Sequence, residues 1–261
     1  MRVIMAVILA VVVLAAIWFL PPDIFRWFVL AVIAVGSYEL ARMRFFDHVE
    51  RWMVVCAVLG VALAMVVKVP GDSILLLLVG ILFIFSVGIM KRTPSMEGAW
   101  DRLGCAAYIL IYLGVAFPYW ALLRGLNDGR WWILIALVPA CLCDTTAYIA
   151  GKTCGKRKFA ATVSPNKTIE GFIGALMGSL IGTFVIWQLG GRWIPWWHAL
   201  LLALAMWWVS PFGDLIESMI KRSVGVKDSG TIIRGHGGMM DRLDALIFAG
   251  PLVYAYAKYF A

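Results

Sequence analysis

Hydrophobic positions run along this chain in nine long blocks separated by short polar stretches. A bilayer core about 30 Å thick calls for a helix of about 20 predominantly apolar residues, so each block predicts a membrane-spanning helix. The blocks are Val3 to Leu20, Trp27 to Ala41, Trp52 to Val67, Ser73 to Met90, Leu103 to Leu123, Trp131 to Gly151, Ile169 to Gly190, Trp193 to Phe212 and Leu243 to Phe260. The second and third are the shortest and read as tilted or partly interfacial. Pro21-Pro22 stops the first helix, and Trp at several block ends suits the aromatic belt of a bilayer. The first block exceeds the usual core of a secretory signal and no clear A-x-A site follows it, so it is expected to remain as an anchor.

Composition supports the pattern. Of 261 residues, 63% are hydrophobic and 15% charged, whereas a soluble domain carries about 45–50% apolar and about 25% charged residues. A soluble globule is excluded, as are disordered, collagen-like and disulfide-scaffold classes. The expected fold is an all-α, polytopic transmembrane bundle. No internal repeat and no long polar linker divides it, so it reads as one membrane domain, with N-terminal helices over 1–91 and a catalytic region with cytoplasmic loops over 92–261. The five cysteines, Cys56, Cys105, Cys141, Cys143 and Cys154, lack a paired C-x-x-C spacing and read as packing residues.

Charge then sets an orientation. There are 23 basic and 15 acidic residues, a net +8. Lys and Arg near span ends are retained in the cytoplasm, and 17 of the 23 fall on the side of the N-terminus and the even-numbered loops. The N-terminus is therefore expected inside. Ten of those 17 lie in only two loops, the sixth and the eighth, mixed with carboxylates, which is more clustering than orientation requires. Glu39 and Asp101 read as interfacial or orientation-related residues, and His48 and His198 carry no signal.

The chemistry begins at Asp144, late in the sixth block. A carboxylate there is costly against lipid, so it is expected to face the bundle and to have a partner. The following loop holds Lys152, Lys156, Arg157 and Lys158, then Ser164 to Thr168, which supplies N-cap hydroxyls to the next helix. It suits a polyanion or a lipid headgroup, and it is not a Walker A loop. A second cluster runs Gly213-Asp214-Leu-Ile-Glu217-Ser218-Met-Ile-Lys221-Arg222, then Lys227-Asp228-Ser229-Gly230, then Gly235-His236-Gly237-Gly238-Met-Met-Asp241-Arg242-Leu243-Asp244. On a helix, Asp214, Glu217, Ser218 and Lys221 share a face, and Asp241 and Asp244 share one at i, i+3. Such carboxylates suit Mg²⁺, which takes hard oxygens from one or two protein carboxylates and the rest from water and phosphates. The interspersed cations then fit a triphosphate. The opposing interpretation is a salt-bridged amphipathic helix at the membrane surface. His236, among glycines, could reach phosphate or carry a proton, and is not assigned as a base.

The run from Ser218 through Lys221-Arg222, Lys227-Asp228, Gly230, Arg234-Gly235-His236-Gly237-Gly238 and Asp241-Arg242 to Asp244 resembles the signature of the phosphatidate cytidylyltransferases, or CDP-diacylglycerol synthases. Asp144 to Gly151 and Ser164 to Gly171 are similar to the family's upstream motifs, and the resemblance covers roughly residues 140 to 250. Ile233-Arg234-Gly235 stands where the family often has a proline, and Asn166 where a lysine is common. The resemblance implies transfer of the cytidylyl group of CTP to phosphatidate, giving CDP-diacylglycerol and pyrophosphate, in a bacterial inner-membrane enzyme dependent on Mg²⁺. It also implies a dimer and help from a monovalent cation such as K⁺. Carried over, Asp214 and Asp241 hold the metal, with Asp144 and Asp244 as further candidate ligands. Lys167, Ser218, Lys221, Arg222, Lys227 and Arg242 would bind substrate, and His236 would contact phosphate or the leaving group. Membrane lipid is the expected surrounding and no nucleic-acid partner is expected. Two other readings remain: a CTP-dependent enzyme acting on a polyprenol or ether lipid, and an ion-coupled secondary transporter, which would place its acidic residues deep in the spans.

Overall fold

The computed structural model describes residues 2–92, 97–230 and 237–260. It is helical almost throughout, as an apolar chain in lipid must be, because only a helix or a closed barrel satisfies its own backbone there. The helices are α1 (Arg2–Phe19), α2 (Pro22–Arg44), α3 (His48–Val66), α4 (Gly71–Arg92), α5 (Ala99–Ile109), α6 (Tyr119–Arg124), α7 (Gly129–Cys154), α8 (Ile169–Leu189), α9 (Trp196–Ser223) and α10 (Ala249–Tyr259). A π-helical stretch, Leu110–Val115, carries α5 on toward α6. Among the described residues, seven helical stretches are long and apolar enough to cross a membrane: α2, α3, α4, the run from α5 to α6, α7, α8 and α9.

Each of the nine blocks expected from sequence contains a helix, but the first and the last fall outside those seven. The ninth block departs furthest from expectation. The chain stays in turns from 243 to 248, and α10 has only 11 residues, about 16 Å at 1.5 Å per residue. Pro251 explains the late start, since a residue without an N–H suits the first turn of a helix and not its middle. Asp241 and Asp244 accordingly sit on a 3₁₀ turn (Met240–Arg242) and the turns after it, not on a shared α-helical face.

The chain divides into two compact units. One comprises Met1–Leu122 and Asp228–Met240; the other comprises Leu123–Lys227 and Asp241–Ala261. The region expected from residue 92 onward is thus shared between them. In the first unit, α3 packs against α2, α4 and the π-helical stretch. The α2–α3 turn is fastened by Arg51, whose guanidinium donates to the Phe45 carbonyl at 3.0 Å, and Asp47 caps α3 by accepting from Val49 N. Glu50 is buried against Arg102 at 3.2 Å. Helix α4 turns Leu75, Leu76, Val79, Phe83 and Ile84 outward, the apolar exterior that lipid requires.

In the second unit, α7, α8, α9 and α10 pack together. Helix α8 meets α7 along Gly171, Gly174, Gly178 and Gly182, and the close approach depends on their lacking side chains. A Cβ at Gly171 would lie 2.9 Å from the Ala147 carbonyl oxygen, and one at Gly182 would lie 2.8 Å from Pro139 Cα. Side chains then stitch the three long helices through backbone carbonyls. Cys143 Sγ donates to Ala175 O, Ser179 Oγ to Ala203 O, Trp207 Nε1 to Phe172 O, and Ser210 Oγ to Ala140 O. All five cysteines are free; Cys143 is buried and packs as expected, Cys105 is half-buried, and Cys56, Cys141 and Cys154 are exposed.

Between α7 and α8 lies a two-stranded antiparallel hairpin, β1 (Lys158–Ala160) and β2 (Ser164–Thr168), which an all-α reading did not include. It is anchored at its root. Glu170, in the first turn of α8, accepts the backbone N–H groups of Lys156 at 3.0 Å and Arg157 at 3.2 Å. Thr168 caps α8 by accepting from Gly171 N at 3.1 Å, as its position ahead of an apolar block predicted. Phe159 stacks on Phe172 with centroids 4.9 Å apart, which seats the hairpin on an aromatic cluster with Phe212, Trp207 and Trp208.

Candidate active site

Helix α9 carries the site's polar stripe, and its spacing does what the 3.6-residue period requires. Asp214, Glu217, Ser218 and Lys221 lie at i, i+3, i+4 and i+7 and share one face. Ser218 Oγ donates to Asp214 Oδ1 at 3.2 Å, and Lys221 Nζ reaches Glu217 Oε2 at 2.8 Å. The same ammonium reaches Asp241 Oδ1 at 2.6 Å, so one lysine bridges two carboxylates from different parts of the chain. Glu217 is fully buried, Lys221 is 8% exposed, and among the described residues Glu217 Oε1 has no hydrogen-bond partner.

A second lysine repeats the arrangement. Lys167, at the end of β2, places Nζ 2.8 Å from Asp214 Oδ2 and 3.1 Å from the Pro211 carbonyl. Pro211, inside α9, has no N–H to complete the helical ladder, and this irregularity lies one turn before Asp214. Asp244 belongs to the same cluster. Gly213 lets its backbone approach, since a Cβ there would lie 2.6 Å from Asp244 O. Burial first, then the neighbouring Asp214 carboxylate, holds the Asp244 carboxyl above its ordinary range, while Lys221 and Lys167 oppose the shift. Asp144, on α7, stays accessible while the charges of Asp244, Asp214 and Lys167 act on it. Of these only Lys167 attracts it, while the two aspartates repel it, and among the described residues it forms no ion pair.

The remaining candidates sort by exposure. Arg222 is exposed and donates once, to Val226 O at 3.2 Å. Lys227 and Arg242 are exposed, as are Lys152, Lys156, Arg157 and Lys158 around the hairpin. His236 and Arg234 lie outside the described residues. Two acidic residues matter more than sequence reasoning allowed. Glu217 stood on the predicted stripe among the carboxylates read as suiting Mg²⁺, and its i, i+4 spacing to Lys221 was the signal for the ion pair it makes. Glu39 was expected at the interface and is instead 3% exposed.

Among the described residues, no three His, Cys, Asp or Glu side chains form a group able to hold a metal ion. Mg²⁺ does not need one, because it takes one or two carboxylates and completes its octahedron with water and substrate phosphate. The donor set here is entirely hard oxygen, and its mutually repelling aspartates fit such an ion.

Comparison with known proteins decides the family. The cytidylyltransferase family model matches residues 1–260. This chain belongs to that family. It is 32% identical over 243 residues to the phosphatidate cytidylyltransferase of Bacillus subtilis (strain 168), covering 87% of either chain. The protein of the same name from Staphylococcus haemolyticus (strain JCSC1435) is 40% identical over 173 residues, 66% of this chain and 64% of its own. That of Staphylococcus aureus (strain COL) is 34% identical over 227 residues, 86% of this chain and 85% of its own. The resemblance read from residues 140 to 250 therefore extends over nearly the whole cytidylyltransferase.

For a cytidylyltransferase, the lysine–carboxylate arrangement has a direct chemical meaning. An ammonium has three N–H donors. Lys221 spends one each on Glu217 and Asp241, and Lys167 spends one each on Asp214 and the Pro211 carbonyl. Each lysine is thereby fixed in place, with one N–H donor not engaged by these bonds among the described residues.

Proposed function

We propose that this cytidylyltransferase transfers the cytidylyl group of CTP to phosphatidate, yielding CDP-diacylglycerol and pyrophosphate. The observation that carries the reading is the bridged set Glu217–Lys221–Asp241 beside Lys167–Asp214, cations and carboxylates interleaved in one cluster of a polytopic membrane protein. The phosphate oxygen of the lipid is already a nucleophile. It attacks the α-phosphorus of CTP; the new P–O bond forms as the bond to the β-phosphate breaks, and pyrophosphate leaves with that electron pair. No covalent enzyme intermediate is needed. The obstacle is that two polyanions must meet in line, so alignment and charge neutralisation are the protein's task.

Lys167 and Lys221, held by their carboxylates, would fix phosphate oxygens from within the cluster. Arg222, Lys227 and Arg242, exposed around it, would gather the incoming anions. Asp214 and Asp241 would hold Mg²⁺, with Asp144 and Asp244 close at hand, and the ion when bound supplies further neutralisation of the triphosphate. The deciding test is to incubate the detergent-purified protein with labelled CTP, phosphatidate and Mg²⁺. A nucleotide-bearing lipid is expected, with none formed from a polyprenol phosphate; the reverse preference would overturn the choice of acceptor.

The reading also includes sidedness. The loops after α2, α4, α7 and α9 carry the basic excess, which supports a site on the cytoplasmic face of a bacterial inner membrane, where CTP is made, and, with α1 as a further crossing, a cytoplasmic N-terminus. Asp228 is exposed whereas Ser229 is buried, so Asp228 is the place for a reporter thiol. In right-side-out vesicles, Asp228→Cys is expected to resist a membrane-impermeant maleimide and to react once the vesicles are opened. Labelling in sealed vesicles would reverse the orientation.

A further inference from the structure

Glu39 has no part in the proposed chemistry, yet it is among the most enclosed ionisable groups of the first unit. It sits in the last third of α2, 3% exposed. Its Oε2 accepts from the backbone N–H of Met240 at 3.0 Å and from Ser229 Oγ at 3.4 Å, partners about 200 residues further along the chain. Among the described residues its Oε1 has no hydrogen-bond partner. Among the described residues no cation forms an ion pair with it. An enclosed carboxylate without a counter-ion is costly, and donors from a neighbouring segment are what offset that cost.

The segment is shaped around this carboxylate. A Cβ at Gly230 would lie 2.7 Å from Glu39 Oε1, and one at Gly238 would lie 2.6 Å from Oε2 and collide with Ser229 Oγ. The two glycines therefore let both limbs of the segment, 229–230 and 238–240, close on one side chain. Gly237, at φ 82°, takes a left-handed conformation as the second limb begins. Met240, whose N–H is clamped, is fully buried and is followed directly by Asp241.

We infer that Glu39 is a positioning residue: its carboxylate clamps together the limbs 229–230 and 238–240 and so fixes the main chain that leads into Asp241. The catalytic consequence rests on the role proposed above for Asp241, whereas the clamp itself does not. Glu39→Gln keeps an oxygen able to accept the Met240 N–H; Glu39→Ala leaves that N–H and the Ser229 hydroxyl without their acceptor.

Hydrogen exchange on the full chain in detergent reads the clamp without substrate. In Glu39→Ala the amides of 237–240 should exchange about 10-fold faster, those of α8 should be unchanged, and Glu39→Gln should fall between Ala and wild type. In the CTP assay, Glu39→Ala should lose about 10-fold or more in kcat with KM for CTP within about threefold, and Gln should recover part of the rate. Wild-type exchange at 237–240 in Glu39→Ala would overturn the clamp. So would loosening spread evenly through α2 and α3, which marks general destabilisation; local loosening with undiminished kcat would overturn the positioning role. Should wild type itself prove inactive toward CTP and phosphatidate, the functional reading fails, and selective loosening at 237–240 still supports the clamp.

Discussion

Asp241→Asn is expected to lower turnover by about 1000-fold, the upper end of what losing one preorganised charged group costs an enzyme, while the protein still inserts and folds. Asn has nearly the shape of Asp but no charge, so the 3₁₀ turn at Met240–Arg242 keeps its packing. Lys221 keeps its bond to Glu217 at 2.8 Å, and the buried pair remains neutral. What disappears is the carboxylate charge proposed for the metal, and the anchor of Lys221 is weakened from an ion pair to a hydrogen bond accepted by the amide oxygen. Initial rates with labelled CTP, read beside thermal stability in the same detergent, separate the two effects. A variant retaining a tenth of wild-type turnover with ordinary Mg²⁺ dependence would remove Asp241 from the metal role. Asp228→Asn, a change at an exposed position outside the cluster, is the control expected to leave the rate intact.

Lys221→Met is expected to be damaging in a different way. Met replaces the stem of the lysine but not its charge, leaving Glu217, with no exposure at all, and Asp241 as two carboxylates without their shared cation. Breaking a buried ion pair by removing one partner costs about 3–5 kcal/mol, most of it the stranded charge. The variant should therefore show a clearly lowered melting temperature as well as a loss of activity of about 100-fold or more. Adding Glu217→Gln removes one stranded charge and should return much of the stability without returning the activity. A double variant as unstable as the single one would mean that Lys221 supports the fold by packing alone. One that regains turnover would exclude Lys221 from phosphate binding.

The structure explains why some of these residues were legible beforehand and others were not. Asp214, Glu217, Ser218 and Lys221 lie within eight positions on one helix, so the period alone placed them on one face. Thr168 was readable as a cap because it stands directly before an apolar block, and Cys143 as packing because its surroundings are apolar. Asp241 and Asp244 were placed near the cluster correctly but on the wrong element. Their i, i+3 spacing suits a helix, whereas Pro251 and the turns from 243 to 248 delay the helix to Ala249. Glu39 was misjudged for a deeper reason. Near the end of an apolar block with arginines following, it has the local pattern of an interfacial residue. Its partners Ser229 and Met240 are remote in sequence, and no window along the chain contains both ends of the contact.

By itself, the sequence determined the membrane class, the helical blocks, the clustering of charge and the resemblance to the cytidylyltransferases. Each of these is written in local composition, in a period, or in a run of residues whose order is preserved. Tertiary structure alone decided which carboxylate meets which lysine, that Lys221 bridges Glu217 and Asp241, that Lys167 closes on Asp214, and that Glu39 is enclosed by two glycine-lined limbs. A buried charge in an apolar chain is acceptable only where a partner arrives to compensate it. The arrival of that partner depends on how distant segments pack, which no single stretch of the chain encodes.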